Sequence, residues 1–129
     1  MDKVTSFEDL VVFQDARNLC RTIYLLTNNE PFKYDARFVQ QIRAAVGSVM
    51  DNIAEGYERQ GNKELANFLY IAKGSCGEVR SQLIRAHDVG FIDDVCFSKL
   101  FSDCKKLSAS LMNFIKEIKR SEFKGTKYI

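Results

Sequence analysis

Residues 41–56, QIRAAVGSVMDNIAEG, decide the fold that this sequence predicts. Apolar side chains recur there at helical spacing, at Ile42, Val46, Val49 and Ile53. Between them stand residues so small that another backbone can approach closely: Ala44, Ala45, Gly47, Ser48, Ala54 and Gly56. The stretch therefore predicts a helix that packs tightly against a neighbouring helix.

A second stretch, residues 71–82 (IAKGSCGEVRSQ), is again rich in Gly, Ala and Ser. A hairpin that turns near Gly61 and Asn62 would lay the two stretches side by side in opposite directions. In that register Arg43 lies near Arg80 and Glu78, so its guanidinium could meet the Glu78 carboxylate. The same register makes three further pairs: Ser48 with Ser75, Ala45 with Glu78 and Gln41 with Gln82.

The rest of the chain continues the helical pattern. Its 129 residues fit one domain with a sizeable core, and a single proline interrupts them. We predict helices over about residues 7–28, 35–60, 62–89 and 94–120, followed by a frayed tail over residues 121–129. Because the connections are short, neighbouring helices must run antiparallel. The predicted fold is all-α: a single-domain, antiparallel up-down-up-down four-helix bundle.

Turn and capping residues define the predicted ends of the four helices. Ser6 begins a capping-box-like start, and the segment before Pro31 ends the first helix. Asp35 starts the second helix, and Asp93 or Asp94 caps the fourth. Gly61 and Gly90 are expected to stop the second and third helices, with Asn62 as the following cap.

Cysteine usage and hydropathy indicate the environment. Cys20, Cys76, Cys96 and Cys104 form no CxxC pair and fall on or near apolar faces, so we predict buried free thiols rather than disulfides or metal ligands. The chain opens on no signal peptide, and no run approaches the ~20 apolar residues of a membrane span. We expect a cytoplasmic protein that does not enter the membrane.

The sequence predicts no catalytic site, no metal site and no cofactor. A di-iron bundle needs Glu-x-x-His pairs, whereas the one histidine, His87, follows Ile84 by three positions. We interpret His87, near the end of the third helix, as complementing the helix dipole. Residues 56–63 (GYERQGNK) resemble a phosphate loop only superficially, because the lysine comes one residue late and no strand precedes it.

Asn52, Glu55 and Gly56 form the most unusual polar cluster, and two interpretations stay open. In one, the cluster is a recognition patch at the end of the second helix. In the other, which we favour, it is structural: Glu55 pairs with Arg59 one turn later, and Asn52 bonds across a bundle or subunit seam.

Positive charge is concentrated in the last quarter of the chain. Residues 99–129 carry eight basic and three acidic residues, against eleven and fourteen in the rest. An anionic partner such as RNA would bind there, although a solvated helix face needs no partner. The candidate contacts are Lys105, Lys106, Lys116, Lys119 and Arg120, with Lys124 and Lys127 beyond them.

The second and third helices also carry apolar residues around more than one face. One bundle core needs one stripe, so a second stripe suggests association between subunits. The residues concerned are Val39, Val46, Val49, Met50 and Ile53, with Tyr70 and Ile71.

Four blocks of the sequence resemble a known family, the bacterial four helix bundle proteins, also called 23S rRNA intervening-sequence proteins or S23 ribosomal proteins. The blocks are FEDLVVFQDA (7–16), QIRAAVGSVMDNIAEGYERQ (41–60), KELANFLYIAKGSCGEVRSQL (63–83) and HDVGFID (87–93), and the likeness spans roughly residues 6–120. The family pattern has the same residue at these positions: Gln41, Ile42, Arg43, Ser48, Asn52, Ile53, Ala54, Glu55, Gly56, Ala72, Ser75, Glu78 and Leu83.

The resemblance implies a helical bundle that assembles as a homopentamer, which would use the second stripe. It also implies relatives encoded within ribosomal RNA insertions, and a similar accessory protein of diversity-generating retroelements that is associated with reverse transcriptase and nucleic acid. No catalytic activity attaches to the family. This chain differs in having Phe13 for a frequent Trp, Val49-Met50-Asp51 for Ile-Pro-Ser, and a charge nearer neutral.

Two functions follow as hypotheses. The first is a non-enzymatic homo-oligomeric scaffold that binds RNA or a ribonucleoprotein through basic surfaces. The second is a protein–protein interaction module without affinity for nucleic acid. Eight residues are assigned to the structural or oligomer motif: Gln41, Arg43, Ser48, Asn52, Glu55, Gly56, Ser75 and Glu78.

Overall fold

The computed structural model describes residues 4–123, and the side chains as far as Ser121. This part of the chain is helical and contains no strand. Two short 3-10 turns, Phe7–Asp9 and Phe32–Tyr34, precede the first and second helices. The four helices are α1 (Val11–Thr27), α2 (Ala36–Glu58), α3 (Asn62–Asp88) and α4 (Asp94–Phe123). The predicted all-α, four-helix, single-domain fold is confirmed.

The start of α1 differs from the prediction of one helix from about residue 7. The Asp9 carboxylate accepts hydrogen bonds from the Thr5 N–H and hydroxyl, both at 3.0 Å, and from the Ser6 N–H at 3.2 Å. These bonds lower the pKa of Asp9 and close a separate turn. Leu10 then adopts an extended conformation with its side chain buried, and the α-helix starts at Val11.

The turn between α2 and α3 also differs from the prediction. Gln60, and not Gly61, adopts the left-handed conformation, with φ of 58°. Gly61 has φ of −131° and is itself the N-cap of α3, in the place predicted for Asn62. The hydrogen bond from Gln60 N to the Tyr57 carbonyl closes the end of α2, and the helix ends at Glu58, two residues before the predicted end.

The other predicted helix ends agree with the structure, except at the end of α4. Asp35 Oδ1 accepts from the Phe38 N–H, Gly90 has φ of 82°, and Asp93 Oδ1 accepts from the Cys96 N–H. However, α4 continues to Phe123, so residues 121–123 are helical and not part of a frayed tail. The remainder of that predicted tail, residues 124–129 with Lys124 and Lys127, lies outside the described residues.

Contacts between neighbouring helices show their relative directions. Thr27, near the end of α1, bonds to Arg43 in the first half of α2. Ser48 of α2 meets Ser75 of α3, whereas Gly56, later in α2, meets the earlier Phe68. The paired residues run in opposite order along the two helices, as antiparallel helices require. Since α4 also packs against α1, the contacts agree with the up-down-up-down order.

One core runs through the bundle. Every helix contributes fully buried side chains to it, among them Ile23, Ile42, Leu69 and Ile115. On α2, Val46, Val49 and Ile53 lie in this core with no exposed surface, and Val39 and Met50 pack against it. The second stripe expected on α2 is therefore wrong, because α2 lies between α1 and α3 and buries two sides. On α3, Tyr70 and Ile71 do remain exposed.

All four cysteines are free thiols, as predicted, although only Cys76 and Cys104 are fully buried. The Cys76 thiol donates a hydrogen bond to the Cys104 carbonyl across α3 and α4, at 3.3 Å. Contact with the Cys76 thiol, together with burial, raises the pKa of Cys104 well above its ordinary value. Cys76 and Cys104 are both buried where α3 packs against α4.

The small residues of α2 and α3 have two different roles. A Cβ atom placed on Gly56 would lie 2.7 Å from the Phe68 Cβ and 3.3 Å from Leu65 Cδ1, so at Gly56 the helices are in close contact. At Gly47, Gly74 and Gly77 an added Cβ would meet nothing within 4 Å. The expectation of close approach along the whole stretch is thus wrong for Gly47, because that position faces open space.

We predict that Gly56→Ala lowers the free energy of unfolding by about 1–3 kcal/mol, because the added methyl group would force α2 and α3 apart. Gly47→Ala and Gly77→Ala are matched controls in the same two helices. They should stabilise by up to ~1 kcal/mol, since alanine restricts the unfolded chain and meets no neighbour. Urea unfolding followed by circular dichroism measures all three. A neutral Gly56→Ala would contradict the close contact.

Candidate functional site

Two surfaces hold the residues that the sequence singled out: the face shared by α2 and α3, and the face shared by α3 and α4. On the first, the Ser48 and Ser75 hydroxyls lie 2.8 Å apart, as the predicted register requires. Asn52 Nδ2 donates to the Ser48 carbonyl at 2.8 Å and to the Ser48 hydroxyl at 2.9 Å. Asn52 therefore positions the Ser48 hydroxyl from within α2. The structural interpretation had proposed that Asn52 bonds across a seam, and its two bonds do not cross to another helix.

Arg43 takes a different position from the one expected. Its side chain turns away from Glu78 and toward α1, where Nε donates to the Thr27 hydroxyl at 2.9 Å. The guanidinium also donates to the Tyr24 carbonyl and to Asn28 Oδ1, and lies 4.6 Å from the Tyr24 ring centroid. Three acceptors at the end of α1 match the fork of donors on arginine better than one exposed carboxylate does. The predicted Arg43–Glu78 contact is wrong.

Glu55 and Arg59 form the predicted ion pair, with 2.9 Å between the carboxylate oxygen and the guanidinium nitrogen. The Arg59 guanidinium also lies 5.1 Å from the Phe68 ring centroid. Gly56 is buried against the same phenylalanine. Each residue of the polar cluster thus has a partner within the chain, which favours the structural interpretation of Asn52, Glu55 and Gly56.

A shallow groove of about 630 Å³ runs along the outer side of α2 and α3. Gln82 stands at its floor, only 5% exposed, and its Nε2 donates to Glu78 at 3.4 Å. The Gln82 Oε1 atom is buried and accepts no hydrogen bond, which is costly for a buried polar group. The groove, which we call the α2–α3 groove, is lined by Gln41, Ala44, Ala45, Ser48, Glu78, Ser81, Gln82 and Arg85.

The basic candidates of α4 are divided between two sides of the helix. Lys106 lines a cleft with α1 that also contains Asp15, Asp103 and Lys99, and Lys99 pairs with Asp103 at 3.0 Å. Lys106 also borders the outer side of α4, where it lies beside Lys105 and Phe101. Lys119 contacts Tyr70 of α3, and Lys105 stands beside Phe101, next to Arg80 of α3. At 100° per residue Lys116 projects close to Lys105, and Arg120 projects between Lys116 and Lys106.

α3 adds cations to this second side. Lys73 and Arg80 lie close enough to Cys76 to favour its thiolate and so contribute to lowering the pKa of that thiol, after the larger effect of the Cys104 contact. Lys119 Nζ donates to the Tyr70 hydroxyl at 2.9 Å and stands 4.9 Å from the ring centroid. We call this surface the basic seam. Its members are Lys73, Arg80, Lys105, Lys116, Lys119 and Arg120.

Aromatic rings lie among these cations, although no such platform was evident from the sequence. The Arg80 guanidinium is 5.8 Å and Lys105 Nζ is 5.9 Å from the ring centroid of Phe101. Phe101 comes from α4 and Arg80 from α3, while Tyr70 of α3 meets Lys119 of α4, so sequence spacing along one helix did not reveal the arrangement. The seam ends where His87 Nε2 meets Asp94 Oδ1, at 2.6 Å.

Two further features bear on function. Among the described residues, no three or more His, Cys, Asp or Glu side chains come together where they could hold a metal ion. In the same part of the chain, every helix is too short or too polar to cross a bilayer.

Comparison with known proteins identifies the family. The profile of the 23S rRNA-intervening sequence proteins matches residues 8–113. The chain belongs to this family. A solved structure from Bacteroides thetaiotaomicron VPI-5482, a protein with unknown function from the S23 ribosomal protein family, superposes with a TM-score of 0.75. The two share 20% sequence identity over 82% of this chain and 96% of that one, which shows a common fold. No curated protein matches the sequence.

Arg43 joins α2 to the end of α1, and we predict that its role is structural. Arg43→Gln should lower the free energy of unfolding by about 1–3 kcal/mol, because hydrogen bonds from a charged donor to the end of α1 are lost. Glu78→Gln is the control and should have little effect. Urea unfolding distinguishes the two. An equal loss of unfolding free energy in both variants would instead support the Arg43–Glu78 pair expected from the sequence.

Proposed function

We propose that this protein is a non-enzymatic, homo-oligomeric helical scaffold that binds RNA or a ribonucleoprotein through the basic seam. The observation that supports this most is the collection of cations from two helices on one face, interleaved with Tyr70 and Phe101. Nucleic-acid-binding surfaces combine cations for phosphates with aromatic rings for bases. The cytoplasmic location expected from the sequence is part of this proposal, and we assign no cofactor.

The uneven distribution of charge over the surface also supports RNA binding. The whole chain has a formal charge of +2, yet the basic seam alone carries six cations. The carboxylates of Asp15 and Asp103 lie in the cleft between α1 and α4, on the other side of α4. A seam repeated by rotational symmetry would present a band of positive charge, which raises the affinity for a polyanion beyond that of one subunit.

The α2–α3 groove supports the proposed self-association. The buried Gln82 Oε1 at its floor accepts no hydrogen bond. Beyond the groove lining, earlier on α3, Ile71 is an apolar residue that is 52% exposed. Small side chains such as Ala44 and Ser81 make the surrounding surface shallow enough for a second helix to approach. A homopentamer is the assembly that the family resemblance implies, and we propose that this face forms its contacts.

The same groove supports the second candidate function, a protein–protein interaction module without affinity for nucleic acid. In that case the groove around Gln82, with the exposed Ile71 beyond it on α3, would bind a different protein. The salt dependence of RNA binding separates the two functions, because only contacts with phosphates weaken steeply as salt rises.

For the RNA-binding function, we predict that the combined change Lys116→Glu, Lys119→Glu and Arg120→Glu abolishes RNA binding at low salt, because three phosphate contacts become repulsive. The matched control reverses three cations elsewhere, Arg17, Arg21 and Lys33, and produces the same net charge. Fluorescence anisotropy with a structured RNA over a salt series measures both. Unchanged affinity in the α4 variant, or equal loss in both variants, would contradict the assignment of the seam.

For self-association, we predict that Ile71→Glu reduces the oligomer to smaller species, because a charge would be buried at the contact between subunits. Leu25→Glu is the control, since Leu25 is an exposed apolar residue of α1, 63% accessible. Light scattering after size-exclusion chromatography gives the mass of each. A monomeric wild-type protein would contradict the proposed assembly, and dissociation by Leu25→Glu alone would move the contact to α1.

A further inference from the structure

Three rings form a row at one end of the basic seam. His87 of α3 stacks on Phe97 of α4 with 4.5 Å between centroids and 22° between planes. Phe97 in turn lies 5.3 Å from Phe101, one helical turn later, at 31°. We call these three residues the ring row. Because it joins two helices, its geometry is held by the packing of α3 on α4.

The ring row differs in burial from the phenylalanines of the core. Phe13, Phe32, Phe38 and Phe114 are between 0% and 8% exposed, as expected of side chains whose role is to fill the interior. Phe97 and Phe101 are only half-buried, and both line an open groove of about 520 Å³ on the outer side of α4. Two partly exposed rings beside an open groove offer aromatic surface to a flat ligand.

The groups around this groove indicate the chemistry of that ligand. Arg80 and Lys105 flank Phe101, and Lys105 and Lys106 line the groove itself. Ser98 and Ser102 add hydroxyls along the same wall. A ligand that places a flat aromatic group on the rings and negative charges beside them would satisfy both features, and a nucleotide does so.

We propose that the ring row is a stacking site for unpaired bases of single-stranded RNA, with Phe101 as the contacting ring and Arg80 and Lys105 as the phosphate contacts. The proposal rests on the RNA-binding function proposed above and specifies which form of RNA the seam prefers. In a duplex the bases stack on one another and do not present a free face to a protein side chain. Stacking on Phe101 therefore requires a single strand.

The experiment compares three polyanions by fluorescence anisotropy or competition: a short single-stranded RNA of mixed sequence, the duplex with its complement, and inorganic polyphosphate, which has charge but no bases. Phe101→Leu keeps an apolar side chain and removes the ring. It should weaken binding of the single strand about tenfold and leave binding of the duplex and of polyphosphate unchanged. Phe101→Tyr, which retains a ring, should bind the single strand as the wild type does.

Two controls complete the design. Tyr24→Leu removes an exposed ring that also stands beside an arginine, Arg43, but on α1 and away from the seam, and it should not change binding. Lys105→Gln should weaken binding of all three polyanions. It should also reduce the slope of log affinity against log salt concentration by the amount that corresponds to about one phosphate contact. Circular dichroism and urea unfolding verify that each variant is folded.

The outcomes separate this inference from the function on which it rests. If the wild type binds single-stranded RNA and Phe101→Leu binds it equally well, the stacking site is wrong although RNA binding stands. Equal weakening of all three polyanions by Phe101→Leu would also overturn it, because Phe101 would then act only by holding the cations in place. If the wild-type protein binds none of the polyanions, the proposed RNA-binding function itself is wrong.

Discussion

The close contact between α2 and α3 at Gly56 is the constraint on which the other surfaces depend. With no side chain at this position, the α2 backbone approaches until a Cβ atom would be 2.7 Å from that of Phe68. That approach fixes how the two helices slide past one another. Further along the pair the Ser48 and Ser75 hydroxyls meet at 2.8 Å, and beyond them the helices border the α2–α3 groove.

The register of α3 against α4 has an equivalent effect on the opposite side of α3. Buried Cys76 and Cys104 pack together there, and the same alignment brings Arg80 next to Phe101 and Lys119 next to Tyr70. The basic seam is therefore a product of helix packing, and not of one helix with a charged face. α3 contributes to both surfaces, so a partner on one side of it would contact the same rigid element as a partner on the other.

The family relationship agrees with this division between framework and surface. A neighbour with 20% identity retains the fold, because a bundle requires apolar residues at the right spacing more than particular side chains. Surface chemistry is less constrained by the fold. The ring row of this chain, with Phe97 and Phe101 beside an open groove, is a property of the surface, and the fold alone does not imply it.

Periodicity and turn residues alone determined the four helices, the caps at Asp35 and Asp93, the stop at Gly90 and the meeting of Ser48 with Ser75, because each depends on local preferences or on one simple register. Tertiary structure decided where polar and small groups point. Arg43 binds the end of α1 instead of Glu78, Gly47 faces open space, and Lys106 borders the cleft that contains Asp15 and Asp103. These outcomes depend on which neighbours surround a position in three dimensions, and the spacing of residues along one helix does not contain that information.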